Sequence, residues 1–432
     1  YVTVLISSLL IGFILLLLGK KNYNSINIYE QIFLIFLIYF FISFLIQIPI
    51  YYSGYDISFI DSYFESISGL TGTGFTIFDQ VKNLDPPLLL WRSSSQWIGG
   101  FYFLIFLILI FSNKQINYKF VDFSFNLEKK INFSPNLKSV TTRIFFIYTF
   151  LTILIFTAFT ISGIRLFDSL SLSMTIISSG GFLPTDSLND IIRNNFQLVI
   201  LCFAFLLSIL NFYFVYNLII KRNNLKEHKE DLYLILTIIL FTIIFYLIND
   251  LDLLTVFTTV LSSVGTSGIS IESVPDNFSL YFIILTLIGG SVLSTTSGIK
   301  FTRIYILTKA FLMELYRLVQ PNIVLNNKIM LSQKRINNEN IKMSFLVFIL
   351  FFLSLFILSS LLLIDILDFE NSFKLSILTL TNTVSSNIYG IEKIQFSDLL
   401  ISSKISLIIF MVIAKVELIS IFLLIQKFFF KN

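Results

Sequence analysis

The feature that most constrains this chain is the recurrence of apolar runs near or above the roughly 18 residues that cross a bilayer as a helix. They fall at about 2–19, 30–52, 91–112, 139–163, 194–220, 231–249, 278–320, 341–364 and 399–430, nine candidate spans in 432 residues. With 56% hydrophobic residues, 13% charged residues and 50 Phe, a soluble surface could not be assembled around them. The expected fold class is an all-α polytopic membrane protein whose surroundings are a lipid bilayer, with no nucleic acid as partner. The first run has no basic head and no small-residue cleavage pattern, so it reads as a retained helix. Cys202 and His228 are single representatives of their types. A disulfide framework or a zinc site needs more, so Cys202 is expected to pack toward lipid and His228 to lie in a solvated loop.

Lys and Arg in short loops mark the cytoplasmic side. One set of loops holds Lys20 and Lys21; Lys114, Lys119, Lys129, Lys130 and Lys138; Lys221, Arg222, Lys226 and Lys229; Lys328, Lys334, Arg335 and Lys342; and Lys427 and Lys431. The alternate loops hold Asp56, Asp61, Glu65, Asp79 and Asp85; Asp168, Asp186 and Asp190; Asp250, Asp252, Glu272 and Asp276; and Asp365, Asp368, Glu370, Glu392 and Asp398. The outer face is thus expected to be acidic, which gathers cations and repels anions. Translocation that simply disfavours Lys and Arg would leave the same pattern. In this topology the first helix begins outside, which implies a further helix upstream of Tyr1.

Each acidic segment contains about a dozen moderately apolar residues, too short to span and too apolar for a plain loop, as a re-entrant half-helix would be. Each then ends in small residues. The first reads Glu65-Ser66-Ile67-Ser68-Gly69-Leu70-Thr71-Gly72-Thr73-Gly74-Phe75, the second Ser173-Met174-Thr175-Ile176-Ile177-Ser178-Ser179-Gly180-Gly181-Phe182, and the third Val260-Leu261-Ser262-Ser263-Val264-Gly265-Thr266-Ser267-Gly268-Ile269. The fourth, Thr383-Val384-Ser385-Ser386-Asn387-Ile388-Tyr389-Gly390, keeps the frame with Ile388 where the others have Gly, leaving Tyr389 or Gly390 as the other candidates for its apex. Recurrence at roughly 90 to 120 residue intervals marks a repeated unit.

Non-helical backbone at membrane depth must be buried in protein or line a wet cavity, so four such loops are expected to share one cavity. Gly at the apex lets carbonyl oxygens turn toward an axis and replace an ion's hydration shell. The half-helices aim their partly negative C-terminal ends at the same point, which favours a cation. The candidate coordinating residues are Gly72, Thr73 and Gly74; Ser178, Ser179 and Gly180; Thr266, Ser267 and Gly268; and Ser386, Asn387 and Ile388. The expected organisation is an N-terminal accessory helix and loop (1–29) and four helix, re-entrant loop, helix repeats at 30–113, 114–225, 226–335 and 336–432 around a central ion pore.

Two further strings complete the pattern. Trp91-Arg92-Ser93-Ser94-Ser95-Gln96-Trp97-Ile98-Gly99-Gly100 opens the second helix of the first repeat, where Arg92 and Gln96 are expected to anchor at the outer interface. Ile288-Gly289-Gly290-Ser291-Val292-Leu293-Ser294-Thr295-Thr296-Ser297-Gly298-Ile299-Lys300 should unwind a helix of the third repeat, its hydroxyls satisfying freed carbonyls. A small-residue packing seam is the other reading of that string. A nucleotide-binding loop is excluded, since the Gly-x-x-x-x-Gly-Lys-Ser/Thr pattern does not occur.

With these strings and the four filter segments, nearly the whole chain resembles the Trk/Ktr/HKT superfamily of potassium transporters, most closely its bacterial TrkH-type membrane subunits. The resemblance implies that Gly289, Gly290, Ser294, Thr295, Thr296 and Gly298 belong to a gating loop beneath the filter. It also implies that Lys415, in Ala414-Lys415-Val416-Glu417 where those subunits have Gly-Arg-Leu-Glu, projects into the pore. From the residues alone, Lys415 and Glu417 could instead form a structural ion pair. Leu293, Thr296 and Ser297 stand where that loop usually has Gly and should stiffen it. Further implications are potassium uptake or symport without a covalent cofactor, the ion itself being the cargo, and location in the bacterial inner membrane. A homodimer paired with a cytoplasmic nucleotide-binding regulatory subunit of TrkA/KtrA type is implied too. A secondary transporter of a small solute would show a two-fold inverted repeat, and a membrane enzyme a convergent acid, base or metal cluster; four same-sense repeats with scattered carboxylates argue against both.

Overall fold

The computed structural model describes residues 1–19, 27–112, 137–216, 229–249, 251–271, 275–320, 336, 338–365, 368–391, 394–418, 420, 422, 424 and 427. Most of the basic residues expected in cytoplasmic loops lie outside these: Lys20, Lys21, Lys114, Lys119, Lys129, Lys130, Lys221, Arg222, Lys226, Lys328, Lys334, Arg335 and Lys431. So do His228, Asp250, Glu272 and Glu392, while Lys342 and Lys427 are described and exposed.

A lone helix α1 (Val2–Gly19) precedes four sets of helices. The first set is α2 (Ile28–Tyr51), α3 (Phe59–Thr71) and α4 (Pro86–Ser112). The second is α5 (Leu137–Ile161), α6 (Leu166–Ile177) and α7 (Asn195–Ile209), the last followed by α8 (Phe212–Tyr216). The third is α9 (Lys229–Ile248), α10 (Leu253–Val264), α11 (Ser279–Ile288) and α12 (Phe301–Val319), and the fourth α13 (Asn338–Leu362), α14 (Phe369–Thr381) and α15 (Ile401–Lys415). The short helices α3, α6, α10 and α14 have 13, 12, 12 and 13 residues. At 1.5 Å per residue each reaches only about 20 Å, short of a hydrocarbon core of about 30 Å.

Each short helix packs on the long helix before it and on the helix after it in its own set. It also packs on the preceding set: α6 on α4, α10 on α7 and α14 on α11. Helix α3 meets α15 in the same way, so the order of contacts closes on itself. At that closing seam Lys404 of α15 pairs with Asp61 of α3 at 2.5 Å and donates to the Ser397 carbonyl at 2.7 Å. The short helices can approach their neighbours closely because about half of their buried residues are Ser or Thr, several of them bonded back into their own helix. Examples are Ser66 to Ser62 O, Thr71 to Ile67 O, Ser263 to Thr259 O and Thr379 to Leu375 O, all at 2.7–2.9 Å.

Among the described residues five helices are long and apolar enough to cross a membrane: Val2–Gly19, Tyr29–Tyr51, Thr141–Ile161, Glu230–Ile248 and Asn338–Leu362. These are α1 and the first long helix of every set, each turning large apolar side chains outward. The other expected spans differ for physical reasons. The run at 194–220 breaks at Leu210, where α7 ends and the Asn211 amide turns to the Asp231 carboxylate at 2.8 Å. The run at 278–320 breaks at Gly289, as its glycines suggested, and the second half of 399–430 does not continue α15 beyond Lys415. Helix α4 is continuous but buries Arg92, Ser93, Ser95 and Gln96. Cys202 is buried in α7 at 5% exposure, correcting the expectation that it faces lipid.

Candidate functional site

The four segments after the short helices fold to one hydrogen-bond register. In the first, the Gly72 amide bonds Gly69 O and the Thr73 and Gly74 amides bond Ser68 O. In the third, Thr266 bonds Ser263 O, and Ser267 and Gly268 bond Ser262 O. The second repeats this with Ser179 to Ile176 O and Gly180 to Thr175 O, and the fourth with Asn382 to Thr379 O and Thr383 to Leu378 O. The first residue of each trio is left-handed: Gly72 (φ 75°), Ser179 (55°), Thr266 (54°) and Asn382 (47°). The equivalent trios are therefore Gly72-Thr73-Gly74, Ser179-Gly180-Gly181, Thr266-Ser267-Gly268 and Asn382-Thr383-Val384.

Two expectations are corrected by this register. Ser178 is still right-handed at the end of α6, so the second trio runs one residue later and includes Gly181. In the fourth segment the trio lies four residues before Ser386, Asn387 and Ile388. Asn387–Tyr389 forms a 3-10 turn packed against α11 and the Asp276–Phe278 turn, and neither Tyr389 nor Gly390 sits at the apex. The reason is that Asn tolerates the left-handed conformation through its short polar side chain, so Asn382 does what Gly72 does without being Gly.

The loops meet. A Cβ added to Gly74 would lie 2.8 Å from the Gly181 Cα. One added to Gly181 would lie 2.6 Å from the Val384 Cβ and 3.2 Å from Ser267 O, and one on Gly268 would lie 2.9 Å from Val384 O. The third residues of all four trios thus form one layer, with Val384 wedged between two glycines. Below it Asn382 Nδ2 donates to Thr73 Oγ1 and to Met411 O, each at 3.0 Å, tying the fourth loop to the first.

Behind the loops lies a buried polar frame. Arg92 Nε donates to Glu65 Oε1 at 2.8 Å, and its guanidinium stacks 4.1 Å from the Phe182 ring centre. Glu65 in turn accepts from the Ile77 amide at 2.9 Å and from Thr76 Oγ1 at 3.1 Å. Gln96 Oε1 accepts from the Phe182 amide at 3.2 Å and lies against Gly180. Arg92 and Gln96 are 2% and 0% exposed, so they brace the first two loops rather than anchor at an interface.

Beneath the loops runs the break between α11 and α12. Gly289 (φ 63°) and Gly298 (φ 85°) make its turns, and a Cβ on Gly289 would lie 2.6 Å from Ser297 O. The Gly290 amide donates to Thr296 Oγ1 at 3.1 Å, so hydroxyls do satisfy freed backbone here. The segment touches the loops above: Thr295 Oγ1 is 2.9 Å from Ser179 Oγ, and the Ser297 amide donates to Thr266 Oγ1 at 3.1 Å. Ser294 Oγ and Thr296 Oγ1 bond each other at 2.6 Å. Leu293, Thr296 and Ser297 are all fixed by hydrogen bonds, Leu293 through its carbonyl to the Phe212 amide at 2.8 Å. Glu230 Oε1 accepts from the Val292 amide at 3.0 Å and from Thr302 Oγ1.

Lys415 is buried under this assembly, its Nζ 3.6 Å from the Cβ position of Gly72. It reaches Ser297 Oγ at 3.3 Å and Thr295 O at 3.5 Å and stands 4.6 Å from the Phe103 ring centre. Glu417 does not pair with it: that carboxylate binds Arg303 at 2.7 Å. The ion pair weighed for Lys415 and Glu417 is therefore replaced by Arg303–Glu417. Sequence reasoning missed Gly181, Asn382, Thr383 and Val384, the bracing role of Glu65, and Lys300, Arg303 and Glu230 around the break.

The sequence pattern of the TrkH family of cation transport proteins matches residues 35–264. An uncharacterized cation transporter of Methanocaldococcus jannaschii is 28% identical over 318 residues, 73% of this chain and 66% of that one. The Trk system potassium uptake protein TrkH of Halomonas elongata is 26% identical over 289 residues, 62% of this chain and 59% of that one. The chain thus spans about three fifths to two thirds of these relatives' lengths. The crystal structure of the potassium transporter TrkH from Vibrio parahaemolyticus superposes with a TM-score of 0.81 at 22% identity, covering 94% of this chain and 86% of that one. The chain belongs to the TrkH family of cation transport proteins, which are not enzymes.

Proposed function

We propose that this family member carries potassium across the cytoplasmic (inner) membrane through an axis formed by its four loops, with repeats at 30–113, 114–225, 226–335 and 336–432. The observation that carries the reading is the layer of Gly74, Gly181, Gly268 and Val384, in which four segments far apart in sequence bring their backbone together at the C-terminal ends of four half-helices. Carbonyl oxygens there can replace an ion's water, and four partly negative helix ends favour positive charge. The chemistry is coordination and passage. The segment Gly289–Lys300 and Lys415 lie directly below and regulate the exit. Pairing with a nucleotide-binding regulatory subunit of TrkA type is part of the same proposal, since relatives are named as proteins of a Trk system, and assembly as a homodimer is proposed with it.

Transport is downhill on the membrane potential. At about 150 mV one charge gains about 3.5 kcal/mol, enough for a gradient of a few hundred-fold. The test is rubidium and sodium uptake into proteoliposomes holding the full chain, with the potential and the pH gradient imposed separately. Uptake should follow the potential and favour rubidium. Uptake that tracks the pH gradient would replace the uniport by symport with protons, and equal sodium uptake would make the cargo any monovalent cation.

A further inference from the structure

Lys300 is the residue around the break whose surroundings ordinary packing does not explain. It is 2% exposed, and its backbone holds φ 78° and ψ 135°, a conformation that L side chains seldom adopt. Its Nζ donates to Thr296 O and lies 3.3 Å from Thr296 Oγ1, 3.4 Å from Ser294 Oγ and 3.5 Å from Ser294 O. All four are neutral oxygens, two carbonyls and two hydroxyls. Buried ammonium groups ordinarily face a carboxylate. Glu417 and Glu230 are near enough to act on its charge, but neither is within ion-pair distance of Nζ: Glu417 binds Arg303, and Glu230 accepts from the Val292 amide and Thr302. Four neutral oxygens around one positive charge are what a dehydrated monovalent cation needs, and filter backbones offer the same set.

We propose that the segment 289–300 is itself a monovalent-cation site, occupied in this conformation by the ammonium of Lys300 as a tethered plug. The inference rests on the permeation reading and adds how the exit is controlled. An ion leaving the loops passes Lys415 and then reaches oxygens already held by Lys300. The two ammonium groups flank one ring, at 4.6 and 5.6 Å from the Phe103 centre. Ion and plug compete for the same four oxygens. When the ion wins, the turn through Ser294 and Thr296 loses the charge that staples it, and only its hydrogen bonds to Ser179, Thr266, Glu230 and Phe212 still hold the segment. The left-handed backbone at Lys300 is what aims the side chain back into its own loop, which explains why a strained residue stands where Gly would be unstrained.

The experiment is a structure of the full-length Lys300→Met variant in rubidium, located by anomalous scattering, beside the unmodified protein. The unmodified protein should bind rubidium at the four loops and leave the Ser294 and Thr296 oxygens to Lys300; the variant should add a rubidium peak among them. A variant with rubidium at the loops and none in the segment overturns the plug. Rubidium absent from the loops of both proteins overturns the permeation reading instead. Should Lys300→Met fail to fold, Ser294→Ala removes a single oxygen of the cage and retains both lysines. Its downhill rubidium flux should rise about ten-fold, the factor for one weak hydrogen bond lost from a charged group. Flux unchanged or lowered in Ser294→Ala would also overturn the plug.

Discussion

Replacing Lys415 with Met removes a charge beneath the loops while keeping most of the volume. The Nζ lies 3.6 Å from the Cβ position of Gly72 and is held by two long hydrogen bonds of 3.3 and 3.5 Å. A cation at the lowest position between the loops, about 5 to 7 Å away, is opposed by about 2.4 to 3.3 kcal/mol at an effective dielectric near 20. If that were the whole barrier, removing it would speed passage about 50- to 300-fold. Lys300 remains below, so the expected gain is smaller, about ten-fold. The stability cost is modest: two long hydrogen bonds are lost, about 1 to 3 kcal/mol together, and Glu417 keeps its bond to Arg303, so no buried carboxylate is stranded. The assay is rubidium uptake into proteoliposomes at fixed potential, normalised to incorporated protein. Lys415→Arg should keep the slow rate. Unchanged or reduced flux through Lys415→Met at equal incorporation refutes the barrier, and loss of the protein from the membrane would make Lys415 a structural charge.

Three other perturbations test separate parts of the site. Arg92→Met strands Glu65, whose side chain is fully buried, and should cost about 3 to 5 kcal/mol in detergent unfolding; the double variant with Glu65→Gln should recover most of it, and a single variant as stable as the parent would remove the brace. Gly181→Ala places a Cβ 2.6 Å from the Val384 Cβ and should abolish rubidium flux without loss of membrane insertion; adding Val384→Gly should restore part of it, and a conducting single variant would refute the contact. Val384→Gly alone should lower the potassium to sodium ratio by loosening the wedge, whereas Ile388→Gly should leave the ratio unchanged, and the reverse result would return the apex to Ile388.

The membrane class, the half-helices, the first and third trios and, to within one residue, the second were legible because each leaves a composition signal: apolar length, a short run between acids, and glycine. The fourth trio was not, because it holds no glycine: Asn382 takes the left-handed position and Val384 the third place. A usable signal was present in the hydroxyls. Leu70-Thr71-Gly72-Thr73 and Leu380-Thr381-Asn382-Thr383 share Leu-Thr-x-Thr, and in both the two threonines bond each other, at 2.8 and 3.0 Å. Matching hydroxyls rather than glycines would have set the register. Lys300 was written into the break's own string yet stayed unread, since nothing in a sequence says that a lysine folds back onto the carbonyl four residues earlier. The Arg303–Glu417 and Arg92–Glu65 pairs span 114 and 27 residues and depend on tertiary placement alone.

The loops and the segment beneath them share close glycine approaches and hydrogen-bonded backbone, and what separates them is how their buried charges are held. The loops are over-determined: amide bonds of 2.8 to 3.4 Å close each trio, backbone abuts backbone where only Gly fits, and the brace is a buried ion pair with Glu65 Oε1 2.8 Å from Arg92 Nε. Such a pair adds little net stability, but displacing either partner leaves a bare buried charge, so the geometry it holds is steep. The segment below has hydrogen bonds of its own to Ser179, Thr266 and Phe212, but to these it adds ammonium groups on neutral oxygens, most at 3.3 to 3.5 Å, distances at which a hydrogen bond is weak. Breaking those contacts frees oxygens that a passing cation can take up, so the ion itself offsets the cost of opening. A selective element must keep its spacing while ions pass, and a gate must not; the chain places the steep contacts above Lys415 and the exchangeable ones around it.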